Sequence, residues 1–247
     1  TTPPASVTLA VSNFPVTGVN SYTLTAGLNG LVTVGASGTY TSLTNAGGLF
    51  EAINFEGLNG NLTAEILDAN LSETGLNSLN QILSGCVGGY PLTIRPASGV
   101  TTLIEGSNAA ALLNLNGADN VTIDGSNNGS SSKDMTIRNT GTGEAIRFID
   151  GAANNTVKSC IVESENTVVT SGTIVFGTSV GATVTTGNSY NVISGCDVRD
   201  RSDAAGVPAN AIYSSGTAAL PNAANKISGC NIFNFTNSGV LVAANGA

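Results

Sequence analysis

Apolar residues in the second half of this chain alternate with polar ones in short runs of period two, and the alternation breaks at recurring places. Side chains of a strand point to opposite faces in turn, so an unbroken run is one strand and a break in parity is a bend. In Asn225-Lys-Ile-Ser-Gly-Cys-Asn-Ile232, Cys230 and Ile232 can share a face but Ile227 and Cys230 cannot, which places a turn at Ser228-Gly229. The same phrase, Asn-x-[Ile/Val]-x-[Ser/Gly]-Cys-x-[Ile/Val], begins at Asn155 and at Asn191, and the cysteines follow one another by 36 residues (160 to 196) and 34 residues (196 to 230). Self-similarity at such a period is the mark of a solenoid, and two short strands meeting at a corner make part of one coil. The asparagine before each strand pair suits a bend, since it tolerates left-handed dihedrals, and stacked coils would set these amides in a ladder.

A third strand completes the coil. Ala145-Ile-Arg-Phe148, Gly172-Thr-Ile-Val-Phe176, Ala211-Ile-Tyr213 and Gly239-Val-Leu-Val242 occupy matching places, with Ile146, Ile174, Ile212 and Val240 equivalent. Upstream the pattern continues at Leu113 and Leu115, Val121 and Ile123, and Met135 and Ile137, with Gly125–Lys133 as an exposed loop. The predicted fold is all-β: a right-handed parallel β-helix over residues 37–247. A solenoid must cover its ends, and Leu43, Ala46, Phe50 and Ile53 follow helical spacing with Ser42 as N-cap, predicting a short N-terminal capping helix. Residues 1–36, with alternating Val7, Leu9 and Val11, read as an extended β arm or the remnant of a preceding domain. No cap follows Val242, so the expectation is that the solenoid is truncated here and continues into further domains of a larger chain.

Composition narrows the partners. The 247 residues carry a net charge of -8, with 10% charged residues and no cluster of Lys or Arg, which argues against nucleic acid and anionic membranes. No apolar run reaches the roughly 18 residues of a membrane span. Of the four cysteines (Cys86, Cys160, Cys196, Cys230), the last three fall at one site in successive coils. Strands stack about 4.8 Å apart, which is too far for the roughly 3.8 Å Cβ separation of a disulfide, so these are read as buried thiols.

The phrases Pro91-Leu-Thr-Ile-Arg-Pro96, Asn120-Val-Thr-Ile-Asp-Gly-Ser126, Met135-Thr-Ile-Arg-Asn139 and Asn154-Asn-Thr-Val-Lys158 are similar to the pectate-lyase-like parallel β-helix repeat regions of large secreted and cell-surface proteins of Bacteroidota. The resemblance covers about residues 38–247 and implies export, with a C-terminal sorting domain outside this chain. It specifies activity poorly, because one architecture hosts lyases, hydrolases, adhesins and passive stalks.

Two places carry candidate chemistry. Asp197-Val-Arg-Asp-Arg-Ser-Asp203 is the densest charge cluster, and its Asp197, Arg199, Asp200, Arg201 and Asp203 have the mixed signs that suit Ca²⁺ or a sugar acid. The plainer reading pairs Glu163 with Arg199 across adjacent coils as a surface ion pair worth less than about 1 kcal/mol. Tyr213 joins the candidates as an outward aromatic on the Ile146 sheet, whose other outward positions are Arg147, Val175 and Leu241, with no carboxylate. Asp119, Asp124 and Asp134 form a second acidic grouping, unlike an EF-hand in spacing. No catalytic set and no resident cofactor are expected, with Ca²⁺ the one ion left open. The function expected is an extracellular structural or adhesive module contacting glycans or other surface proteins. The alternatives are a β-helix polysaccharide lyase or glycoside hydrolase and a trimeric tailspike-like fibre.

Overall fold

The computed structural model describes residues 27–82, 89–181 and 184–246. Its strands stack into three parallel sheets. The first has seven strands: Leu28–Val34, Leu58–Ile66, Leu92–Pro96, Val121–Asp124, Thr156–Lys158, Val192–Ser194 and Lys226–Ser228. The second has six: Asn70–Ser72, Thr102–Gly106, Met135–Asn139, Cys160–Glu163, Asp197–Arg199 and Asn231–Ile232. The third also has six: Leu79–Asn80, Leu113–Asn116, Ile146–Ile149, Ile174–Phe176, Asn210–Ser214 and Ser238–Val242. The chain visits the sheets in rotation through six turns, so the fold is a parallel β-solenoid.

The inward positions form continuous columns. Ala64, Ile94, Ile123, Val157, Ile193 and Ile227 stack along the first sheet. Leu71, Ile104, Ile137, Val162, Val198 and Ile232 stack along the second. On the third sheet Ile146, Ile174, Ile212 and Val240 are in register, and Phe148 stacks on Phe176 with centroids 4.8 Å apart. Cys160, Cys196 and Cys230 extend a column begun by Thr102 and Met135, and all three are free thiols. Its contact with the Cys160 thiol, together with burial, pushes the pKa of Cys196 up to about 12, so it stays protonated and packs as a small apolar group. Cys86 lies outside the described residues.

The corner between the first two sheets is one residue long. Ser159, Gly195 and Gly229 hold it with φ of 53°, 62° and 62°, a left-handed conformation that reverses parity between the strands on either side. The predicted amide ladder stands at the opposite end of the first sheet. Asn191 Oδ1 accepts Asn155 N–H at 3.0 Å, and Asn225 Oδ1 accepts Asn191 N–H at 2.9 Å. The left-handed residue is the one before each ladder asparagine: Asn154, Tyr190 and Ala224, with φ between 56° and 60°. The bend therefore belongs to that preceding position, while the ladder asparagine is read by its side chain. Other corners are locked in the same way. Asn139 bonds Asn108 N–H, Ala110 O and Glu144 O, and Asn222 bonds Asn188 N–H and Phe176 O.

The N-terminal end departs from expectation in two places. The helix spans only Leu49–Glu56, and Ser42 does not cap it. Gly47 is left-handed at φ 72°, and Glu73 of the next coil takes the N–H groups of Leu43 and Thr44 at 2.6 and 2.7 Å, so the residues that would have lengthened the helix are held as a loop. The helix nevertheless sits over the edge of the third sheet. Asn54 donates to Ser78 O at 2.8 Å and accepts Asn80 N–H at 2.9 Å, which occupies polar groups that an edge strand leaves open. Leu28–Val34, grouped above with the extended arm, is the outermost strand of the first sheet, paired parallel with Leu58–Ile66 across a register shift between Leu28 and Gly30. The remaining alternation at Val7, Leu9 and Val11 lies outside the described residues.

Asn191 is fully buried, and its amide bonds Asn155 N–H, Ala152 O at 2.9 Å and Asn225 Oδ1 at 3.1 Å. Asn191→Ala strands a buried donor and a buried acceptor at about 1–3 kcal/mol each. The expected loss is about 2–5 kcal/mol by urea denaturation. Asn225→Ala, in the half-buried last coil, should lose clearly less; equal losses would contradict the ladder.

Candidate functional site

The outward face of the second sheet gathers most of the predicted charge cluster, and it does so by building a network. Glu105, Arg138, Glu163 and Arg199 are consecutive rungs of one outward row, alternating in sign. The expected Glu163–Arg199 surface pair is not the one that forms. Glu163 is 2% exposed and bonds Arg138 Nε at 2.7 Å, one coil back, while Arg199 turns to Asp200 Oδ1 at 3.1 Å and lies 5.0 Å over the ring of Phe233. The reason is local. Arg138 is flanked by Glu163, by Asp203 at 3.5 Å and by Ser202 Oγ at 2.7 Å, and this set encloses its guanidinium more fully than Arg199 could be enclosed at the rim.

Arg201 completes the network by gripping both Asp203 oxygens, at 3.1 and 3.0 Å, together with Glu165 at 2.9 Å and Thr140 O at 3.1 Å. The bidentate Arg201 beside Asp203 holds that carboxyl below its ordinary range. Asp200 is shared between Arg199 and Asn234 Nδ2 at 3.1 Å. Asp197 faces Lys133 at 2.5 Å and Asn231 at 2.8 Å; burial works against its ionised form, but these partners outweigh it and keep the carboxyl low. Each charged group of the 197–203 segment is thus spent on a protein partner. Chemically the network is a clasp: it fastens the 200–203 loop and, through Lys133, the 125–134 loop onto the solenoid wall.

Tyr213 is not part of this arrangement. It lies on the third sheet in the row Arg147, Val175, Tyr213, Leu241, as the parity argument placed it, and is 7% exposed. Arg147 bonds Asn114 Oδ1 at 3.0 Å and has no carboxylate partner among the described residues.

The second acidic grouping disperses. Asp124 is tied to Ser126 and to Lys158 at 2.9 Å; desolvation opposes its charge, yet these donors hold its carboxyl below the usual value. Asp134 accepts Asn127 N–H and Ser132 Oγ within the 125–134 loop. Asp119 stands at the far end of the same first-sheet strand, at the corner with the third sheet. Among the described residues no group of three or more His, Cys, Asp or Glu is placed to hold a metal ion.

At that corner Asp119 lines a cleft of about 170 Å³ with Gln81, Ile82, Gly89, Tyr90 and Asn120. Asp119 Oδ1 accepts Ala153 N–H of the next coil at 2.7 Å, and burial pushes its carboxyl up against that bond. In the sequence Asp119 stood out only as one carboxylate among three, and Gln81 and Tyr90 carried no signal, since the cleft exists only once coils 30 residues apart are stacked.

The fold and wall together define a parallel β-solenoid with an internally paired charged face. Compared with known proteins, the chain matches no family model, no curated protein and no solved structure. Among the described residues no helix is long and apolar enough to cross a membrane.

Arg138→Ala leaves Glu163 buried without its cation, at a cost of about 3–5 kcal/mol. It should also free the 200–203 loop, so that trypsin cleaves after Arg201 well before it attacks the remainder of the chain. Wild-type resistance retained in the variant would contradict the clasp.

Proposed function

We propose that this chain is a structural or adhesive β-solenoid module of a secreted or cell-surface protein, with a polar exterior that meets glycans or neighbouring surface proteins. The observation that carries the reading is the use made of the charged face. Of the Lys and Arg side chains, Arg95, Lys133, Arg138, Lys158, Arg199 and Arg201 each hold a carboxylate of this same chain. Glycoside hydrolysis needs one carboxyl group able to give a proton and another open to the sugar. Carboxylates already clamped by guanidinium groups are poorly suited to either role, but they are well suited to stiffening a wall. The resemblance of the repeat phrases to exported solenoids and the net charge of -8 support an extracellular setting away from nucleic acid.

Incubation with insoluble neutral and acidic polysaccharides, with and without Ca²⁺, tests this directly. The expected outcome is retention of the protein on one or more polymers with no release of reducing ends or unsaturated products. Cleavage that disappears in Arg199→Ala or Asp200→Asn would overturn the reading in favour of an enzyme.

A further inference from the structure

We infer that the cleft at the corner between the first and third sheets binds a single neutral sugar ring or sugar-chain end, seated against Tyr90 and hydrogen-bonded by Asp119, Asn120 and Gln81. The inference rests on the adhesive reading above and names the place and ligand class of that contact.

Four observations lead there. The cleft combines an aromatic ring with an acid and two amides. Tyr90 is half-buried and packs on the edge of the apolar core, so its position is fixed while part of it stays open. The side chains of Gln81, Tyr90 and Asn120 make no hydrogen bond with the described residues, and only one oxygen of Asp119 is engaged, by Ala153 N–H at 2.7 Å. Asn120 lines the opening, and its Nδ2 lies 3.8 Å from where a side chain on Gly89 would begin.

This unused capacity contrasts with the second sheet, where each polar group of the clasp is consumed. Tyr90 and Asn120 are half-buried and Gln81 is exposed at the rim. Half-buried polar groups without partners among the described residues favour a ligand that supplies hydroxyls, because each bond made there replaces water in a site already partly shielded. A sugar offers hydroxyls to the carboxylate and amides and a face of C–H groups to the tyrosine ring. Volume sets the size. At about 170 Å³ the cleft is below the roughly 300–1,000 Å³ of pockets that engulf drug-sized ligands, so it holds one ring. Charge sets the kind. Among the described residues lining the cleft Asp119 is the one carboxylate and there is no Lys or Arg, so a sugar acid meets repulsion where a neutral sugar meets an acceptor. The left-handed Asn120 is not itself a functional signal, since Asn154, Tyr190 and Ala224 share that conformation at the same corner.

The test is amide NMR of the intact chain titrated with methyl glycosides of galactose, glucose and mannose, with galacturonate as the charged comparator. The expected result is saturable shifts at Gln81, Tyr90 and Asn120 for at least one neutral glycoside, weakened about tenfold or more by Tyr90→Ala. Asn120→Gly keeps the left-handed corner and should weaken binding with an undisturbed fold, which covers the case in which Tyr90→Ala fails to fold. Arg199→Ala on the other wall should leave the titration unchanged. Absence of saturable shifts with all three neutral glycosides, or tighter binding of galacturonate, would overturn the inference. Polysaccharide retention that persists undiminished in Asn120→Gly would refute the cleft while leaving the adhesive reading intact.

Discussion

The structure depends on how a turning backbone is satisfied at its corners. Within a sheet, each strand's N–H and C=O groups meet those of the coils before and after it, but at a bend they point away from the ladder. A buried polar group left there costs about as much as a core contact gains. The side-chain amides of Asn155, Asn191 and Asn225 step into that gap, each accepting one backbone N–H of the preceding coil and donating to one of its carbonyls. Because each amide bridges to the preceding coil, the corner is specified only in a stack. A single coil would satisfy neither its corners nor its apolar interior.

This constraint organises the remaining features. Interior columns can be thin, with Ala64 beside Ile94 and Cys160 beside Met135, because the corners fix how closely the walls approach. Insertions are tolerated where a corner can be closed over them, as in the 125–134 and 200–203 loops, which are fastened from outside by Lys133 and by Arg138 respectively. The ion pairs of the second sheet thereby acquire a structural role. A buried pair such as Arg138–Glu163 contributes little net stability over an apolar pair, but once formed it is expensive to break.

Much of this was legible in the sequence where the signal is local and repeats. Parity at Ile227, Cys230 and Ile232 gave the corner, and the Asn-x-[Ile/Val]-x-[Ser/Gly]-Cys phrase gave the register of three coils. What escaped depends on contacts between residues far apart in the chain. Arg138 and Ser202 are 64 positions apart, so periodicity alone cannot say that Arg138, and not Arg199, would take Glu163. The shortened helix had the same origin: Glu73 competes for the N–H groups of Leu43 and Thr44, and Gly47 and Gly48 make the helix cheap to interrupt. The Asp119 cleft was invisible because Tyr90 and Asn120 become neighbours only through stacking.

Hydrogen exchange measured amide by amide tests the central claim most directly. If side-chain amides close the corners, the N–H groups of Val121, Asn155 and Asn191 should be protected as strongly as those in mid-strand, although they bond to side chains and not to the backbone ladder. Rapid exchange at these three positions, with the flanking strands protected, would contradict it.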